Sequence, residues 1–251
     1  MSDHVPIDDV LDSEVGGFVC WPKYDKGQAE TRLAQLKDLG VESLSLGGRH
    51  AILGSPILGK GHVGVVLRGM WNGREVAVKI RRTDADRDSM EEEARLLRLA
   101  NEVGVGPRLY ASSAEFVVMQ MLEGPYFGEW ARGYSGEAEG FRDVVRGLLD
   151  KARSLDRVGL DHGELNRMRR HFIVTGVGAE VIDFESASTA RRVRNVTATV
   201  QSMFLSRRFS PAMRPWFGGV DEEALLEALR RYKRDPSDEG YWGVLGALGL
   251  E

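Results

Sequence analysis

The sequence predicts an α+β chain whose first part is rich in short strands around one helix and whose second part is mainly helical. Three observations carry that expectation. Two β-branched runs flank the turn Asn72-Gly73, an acidic and then apolar helical segment follows Asp88, and beyond Gly124-Pro125 apolar residues recur at helical spacing. With 251 residues, 42% hydrophobic and 29% charged, the chain is large enough for two small lobes around a shared cleft and too apolar for disorder. No stretch reaches the ~20 apolar residues of a membrane span, so no membrane partner is expected. The acidic N-terminal stretch lacks the apolar core of a secretory signal. The single cysteine, Cys20, allows no intramolecular disulfide and suits a reducing compartment, and the expected location is cytoplasmic.

Taken in order, residues 1–28 carry few regular signals, with Gly16-Gly17, Pro22 and Gly27 as breakers. Residues 29–39 place Leu33, Leu36 and Leu39 near helical spacing, and Gly40 stops the run. Residues 41–57 read as short strands broken by Gly47-Gly48 and Gly54. From Ile57 two strands form a hairpin through Asn72-Gly73. Residues 88–103 read as a helix with Asp88 or Ser89 as N-cap, ended by Gly104 and Gly106-Pro107. Residues 108–122 hold two short strands, and Gly124-Pro125 marks a hinge. Residues 141–158 form an amphipathic helix, HFIV and AEVIDF form short strands, and residues 189–251 look helical. The expected division is 1–50 as an N-terminal extension packed on the first lobe, 51–123 as that lobe, and 124–251 as the second.

The strongest motif is Gly59-Lys60-Gly61-His62-Val63-Gly64-Val65-Val66, which fits G-x-G-x-x-G-x-V. Two strands joined by a glycine turn can lie over a triphosphate, because no Cβ holds the backbone N–H groups away from the anionic oxygens. A Rossmann turn would open a helix, whereas here another strand follows, and a Walker loop would need Gly-Lys-Ser/Thr. Lys79 ends Val76-Ala77-Val78-Lys79, 20 residues beyond Gly59, placed to pair with phosphates. The next helix offers Glu91, Glu92 and Glu93 to hold it. Glu93 is favoured because it directly precedes the stripe Ala94, Leu96, Leu97, and the others serve the helix dipole. Phe116–Glu123 is the strand and connector where adenine would dock, its edge near Gln120 and Leu122 and Met119 behind it. Further on, Asp161-His162-Gly163-Glu164-Leu165 and Ile182-Asp183-Phe184-Glu185 place two carboxylates, Glu164 and Asp183, 19 residues apart.

Taken together in this order, these motifs resemble the protein-kinase superfamily over about Leu58–Ala187. Within it they are similar to the RIO kinases and the small kinase subunit of the KEOPS tRNA-modification complex, which carry His-Gly-Asp-Leu at the catalytic loop. The resemblance implies a two-lobed protein-kinase-like fold with a reduced, mainly helical second lobe. It also implies ATP and Mg²⁺, with Gly59, Lys60, Gly61, Val63, Gly64, Val66 and Ala77 around the nucleotide and Lys79 on its phosphates. Asp183 would hold the metal and Glu164 would serve as base. IRRTDADR, HGEL and DFE resemble a narrower group of archaeal predicted Ser/Thr kinases that includes an RNA kinase acting on a tRNA ribose 2′-hydroxyl. The sequence departs from the pattern at three points. Glu164 replaces the catalytic Asp, Glu185 replaces the Gly of D-F-G, and Arg169 stands where the metal-binding Asn is usual. His171 takes the Asn position if the loop has two extra residues, the other reading being a structural loop histidine. A helix near Arg191 is expected almost at once after Asp183-Phe184.

The net charge of −4 is uneven. His162–Arg214 holds nine Arg, no Lys and four acids, a local +5 that leaves −9 elsewhere. Arg167, Arg169, Arg170, Arg191, Arg192, Arg194, Arg207 and Arg208 would supply an RNA-binding surface, a docking face for an acidic protein, or a solvated face. The sequence thus frames three expectations. They are a kinase acting on a tRNA 2′-hydroxyl, a RIO-like Ser/Thr protein kinase, and a nucleotide-binding regulatory pseudokinase; DNA is not an expected partner.

Overall fold

The computed structural model describes residues 4–251 and is a mixed α+β chain with an antiparallel sheet. It divides into two compact units, Met1–Arg98 with Pro107–Leu122, and Leu99–Gly106 with Glu123–Glu251. Among the described residues no helix is long and apolar enough to cross a membrane.

The first unit contains β1 (Val5–Pro6), α1 (Gly16–Val19), α2 (Lys26–Asp38), β2 (Val41–Ser45), β3 (His50–Ile52), β4 (Ser55–Ile57), β5 (Gly59–Lys60), β6 (Gly64–Trp71) and β7 (Arg74–Arg81). Most of α3 (Glu91–Glu102) follows, then β8 (Leu109–Ser112) and β9 (Phe116–Gln120). The sheet runs β1-β2-β6-β7-β9-β8, with β5 also paired to β6. Asn72 and Gly73 both have positive φ, 48° and 68°, as the tight hairpin turn requires, and this fixes the register Val66↔Lys79 and Arg68↔Ala77. Buried residues at alternate positions of β6 and β7, Val65, Leu67, Val76, Val78 and Ile80, join Leu36, Leu44, Phe116 and Val118 in one core. Residues near the N-terminus enter it too: Val10, Val15, Phe18 and Val19 pack there, held by short elements that periodicity does not reveal.

Two boundaries differ from expectation in this unit. The helix expected over 29–39 is α2 and begins at Lys26, because the Asp25 side chain accepts from Gln28 N–H (2.8 Å) and caps it. Helix α3 begins at Glu91 and not at 88, with the Ser89 hydroxyl accepting from Glu91 N–H (3.1 Å).

The second unit contains α4 (Phe127–Gly133), α5 (Ala138–Arg157), α6 (Met168–His171), the hairpin β10 (Phe172–Thr175) and β11 (Gly178–Val181), then α7 (Asn195–Val200), α8 (Ser210–Phe217), α9 (Glu222–Arg234) and α10 (Asp238–Ala247). Helix α5 buries Phe141, Val145, Leu148, Leu149, Ala152 and Leu155 along one face. On that face it also buries Asp156, whose carboxylate accepts from Asn195 N–H (2.9 Å), Asn195 Nδ2 (2.8 Å), Val196 N–H (3.2 Å) and Tyr232 O–H (2.8 Å). Burial raises the Asp156 pKa, and the four donors oppose that rise. Gly124 lies against β10 so closely that a Cβ would stand 1.9 Å from Val174 O, and only glycine fits there.

The helix expected near Arg191 starts instead at Asn195. After a short 3₁₀ turn at Phe184–Ser186, the chain is held extended: Ser188 and Asp161 exchange both backbone hydrogen bonds (2.8 and 3.0 Å), and Arg191 Nε donates to the Asp161 carboxylate (3.0 Å). Those tertiary bonds compete with helix formation and win.

Candidate functional site

The glycine-rich segment is a tight turn between β5 and β6, closed by Gly61 N–H to Gly64 O (2.8 Å). Val63 is buried beneath it, its carbonyl accepting from Arg82 N–H (2.7 Å), and Gly61 O accepts from the Arg82 guanidinium (3.1 Å). The Lys79 side chain crosses under the start of β6. A Cβ on Gly64 would stand 3.0 Å from Lys79 Cγ and 3.1 Å from Lys79 Cε. A side chain at this position would therefore push the lysine stem aside by a few tenths of an ångström.

Lys79 Nζ meets Glu93 Oε1 at 2.7 Å, with both residues 5% exposed. Glu92, by contrast, is exposed and bonded to Arg95 (2.7 and 2.8 Å), and Glu91 is also exposed. Helix α3 turns only the third acid inward, alongside buried Ala94, Leu96 and Leu97. On the neighbouring strand Met119 pairs with Ala77. Gln120 is committed elsewhere: its N–H donates to Arg108 O (2.8 Å) and its side chain accepts from Arg108 N–H (3.2 Å). Leu122, two residues on, is half-buried.

In the second unit, the segment from Leu160 to His171 is fixed from below. His162 is fully buried; its backbone N–H donates to Asn195 Oδ1 (2.9 Å), and its Nε2 lies 3.0 Å from Ile182 O. Its ring meets those of Phe184 (centroids 5.0 Å) and His171 (5.5 Å). Burial first, and the neighbouring His171 second, push its pKa down to about 4. A neutral imidazole donating to Ile182 O is a tie between this segment and the end of β11. The chain Asp156–Asn195–His162 thus orients the segment that carries Glu164. A sequence signal for Asp156 does exist, an acid four residues after buried Ala152 on the core face of an amphipathic helix.

Glu164 accepts from Arg167 Nη1 (2.8 Å) and lies 3.2 Å from His171 Nε2. Asp183 follows β11 with φ 69°, a left-handed conformation that a side-chain-bearing residue adopts at a cost of about 1–3 kcal/mol. One ligand atom each from Glu164, His171 and Asp183 falls within 4.8 Å of the others. His171 is buried, while both carboxylates reach solvent. Two carboxylates and an imidazole at that separation can share one divalent cation.

The arginines expected to form one surface are divided. Arg167 is bound to Glu164, Arg191 and Arg194 face Asp161 (3.0 and 4.0 Å), and Arg192 donates to the carbonyls of Lys233 and Arg234. Those four are occupied within the chain. Arg169 and Arg170 lie on α6, one half-buried and one exposed.

No family model matches the chain. An uncharacterized protein of Methanocaldococcus jannaschii is 29% identical to it over 93 residues, 36% of this chain and 79% of that protein.

Proposed function

We propose that the chain is an ATP-dependent phosphotransferase of the two-lobed, protein-kinase-like kind, acting on a hydroxyl of a macromolecule, with a tRNA ribose 2′-hydroxyl as the favoured acceptor. The observation that carries this reading is the Lys79–Glu93 pair. A lysine buried in an apolar strand is unfavourable unless paired, and one lying under a glycine turn with a carboxylate at 2.7 Å suits the binding of nucleotide phosphates.

In this mechanism Lys79 neutralises phosphate oxygens while Glu93 fixes its ammonium, and backbone N–H groups of the glycine turn meet the same oxygens. Leu122 takes the adenine edge, with Met119 and Ala77 beside it. Asp183 and His171 would hold the divalent metal, Mg²⁺ or a softer ion, which when bound neutralises charge on the phosphates. Glu164, steadied by His171 and Arg167, orients the acceptor hydroxyl and takes its proton late, since the transition state is loose and positioning provides most of the acceleration.

The test is transfer from γ-labelled ATP to total tRNA and to total protein in separate reactions, with Asp183→Asn as the blank. Asparagine tolerates left-handed backbone as well as aspartate, so the variant should keep its melting temperature while transfer falls by about a thousandfold or more. Label in nuclease-sensitive, protease-resistant material supports the RNA acceptor; label only in protein moves it to Ser/Thr. Normal turnover in Asp183→Asn overturns the assignment. A second reading, a regulatory nucleotide-binding protein, is favoured by the Arg167–Glu164 ion pair, which occupies the proposed base. It predicts nucleotide binding with no transfer to either pool.

A further inference from the structure

Four arginines of the second unit gather around α4 and α6, and one of them, Arg132, lies outside every sequence motif. The stem of Arg169 on α6 rests on α4 at Gly128, where an added Cβ would stand 2.9 Å from Arg169 Cγ. Arg132 is four residues further along α4, on the same face as Gly128. Phe209 packs against Phe127 of α4 (centroids 5.8 Å), which brings the adjoining Arg208 to this helix. Arg170 completes the group. Arg132, Arg170 and Arg208 are exposed and Arg169 is half-buried.

The electrostatics agree with the packing. The pKa of Arg169 is lowered first by the Arg208 guanidinium, then by burial, then by Arg132 and Arg170. Among the described residues none of the four makes an ion pair with a carboxylate, whereas Arg167, Arg191 and Arg194 all face one. The fold brings like charges together and leaves them without acidic partners, an arrangement that an anionic ligand relieves.

We propose that Arg132, Arg169, Arg170 and Arg208 form a docking surface for the phosphate backbone of an RNA strand. The choice of RNA rests on the acceptor reading above; the surface itself does not. Guanidinium forks match phosphate oxygens in bidentate fashion. A backbone with one charge per nucleotide supplies the closely spaced anions that four mutually repelling cations require. Arg169 stands five residues after Glu164 on a short, tightly held segment, so a strand gripped by α6 presents its ribose hydroxyls next to the segment that carries the proposed base. Arg132 lies outside the Arg-rich stretch, and only the packing of α4 on α6 reveals it.

The experiment is fluorescence anisotropy of a labelled single-stranded oligoribonucleotide with the full chain, without ATP, across a salt series. Arg169→Gln/Arg208→Gln removes two charges while glutamine keeps much of the stem that lies on Gly128. Arg230→Ala/Arg234→Ala on α9 removes the same net charge and serves as the control. The expected result is about tenfold weaker binding in the first pair, with the slope of log affinity against log salt reduced by roughly 1.4 to 2, and little change in the control. Equal losses in both pairs, no RNA binding by the parent chain, or tighter binding of polyglutamate than of RNA would each overturn the proposal. Because no nucleotide is present, a failure of the kinase reading in the transfer assay leaves this result independent.

Discussion

Lys79 and Glu93 meet in a setting unlike that of Glu164, His171 and Asp183. The first pair is built from a strand and a helix and sits in a dry interior, with one charge of each sign 2.7 Å apart. The second group comes from the ends of short elements, has two carboxylates open to solvent, and includes a backbone residue at φ 69°. In the first, removal from water holds the charges together and makes the geometry a matter of packing. In the second, the ligands are held through hydrogen bonds from a buried polar chain, Asp156 to Asn195 to His162. One is held by burial and charge pairing, the other by hydrogen bonds beneath two solvent-facing carboxylates.

The sharpest way to break this contrast is to orphan one partner of the buried pair. Lys79→Met removes the cation that faces the buried Glu93 carboxylate and should destabilise the chain by about 3 kcal/mol or more, read by urea unfolding. Lys79→Met/Glu93→Leu should regain most of that loss while remaining inactive in nucleotide binding. If the double variant is no more stable than the single one, the loss does not come from the unbalanced carboxylate, and the contrast fails. Glu164→Gln, by the same reasoning, should cost well under half as much, because solvent reaches that carboxylate.

A second test uses pH and the buried scaffold under the metal-type group. His162 has a folded pKa of about 4 against an ordinary 6.5, so between those values the unfolded chain binds the proton and the folded chain does not. Its contribution to stability is therefore fully present above pH 6.5 and is lost as pH falls toward 4, by about 3 kcal/mol across the window. Urea unfolding of the parent and of His162→Gln, which keeps a donor for Ile182 O, should diverge in slope over that range. Parallel curves would mean that His162 is not held neutral.

The same contrast explains how much could be read without the fold. The glycine turn, Lys79 and Glu93 were legible because their geometry is local: the Asn72-Gly73 turn sets the register that puts Val66 opposite Lys79, and an apolar stripe on α3 points Glu93 inward. The mixed α+β character followed from the same periodicities. Asp156 carried a signal, an acid on the core face of an amphipathic helix, but not its partners, the nearest of which lies 39 residues on, and nothing local marked Arg132. The missing helix near Arg191 has the same cause, a segment kept extended by Asp161 from 30 residues upstream. Composition could not sort the arginines of His162–Arg214 among those alternatives, because folding holds four of them on partners within the chain.

A milder probe of the first region is Gly64→Ala. The new Cβ would lie 3.0 Å from both Lys79 Cγ and Ile80 O, so the lysine stem must shift while the strand stays paired. We expect KM for ATP to rise by about tenfold with kcat less affected and the melting temperature within a few degrees of the parent. An unchanged KM would show that the position of Lys79 does not matter to the nucleotide.

The smallest effect concerns which cation the second group would select under the proposed mechanism. Imidazole is a poor ligand for Mg²⁺, which prefers an octahedron of oxygens, and a good one for the later first-row metals, with Mn²⁺ accepting both donor types. With His171 beside two carboxylates, the chain should bind and use Mn²⁺ at least as well as Mg²⁺. His171→Asn, which restores an oxygen donor on a shorter stem, should move the preference several-fold toward Mg²⁺. Transfer rates with each metal give the ratio, and Mn²⁺ titration followed by electron paramagnetic resonance gives the affinity without reference to turnover. Were His171 only a packing residue against His162 and Glu164, the variant would lose stability and leave the metal ratio where it was. A moved ratio with unchanged stability would instead place His171 among the metal ligands, and the second region would then be held by its ion as well as by the buried polar chain beneath it.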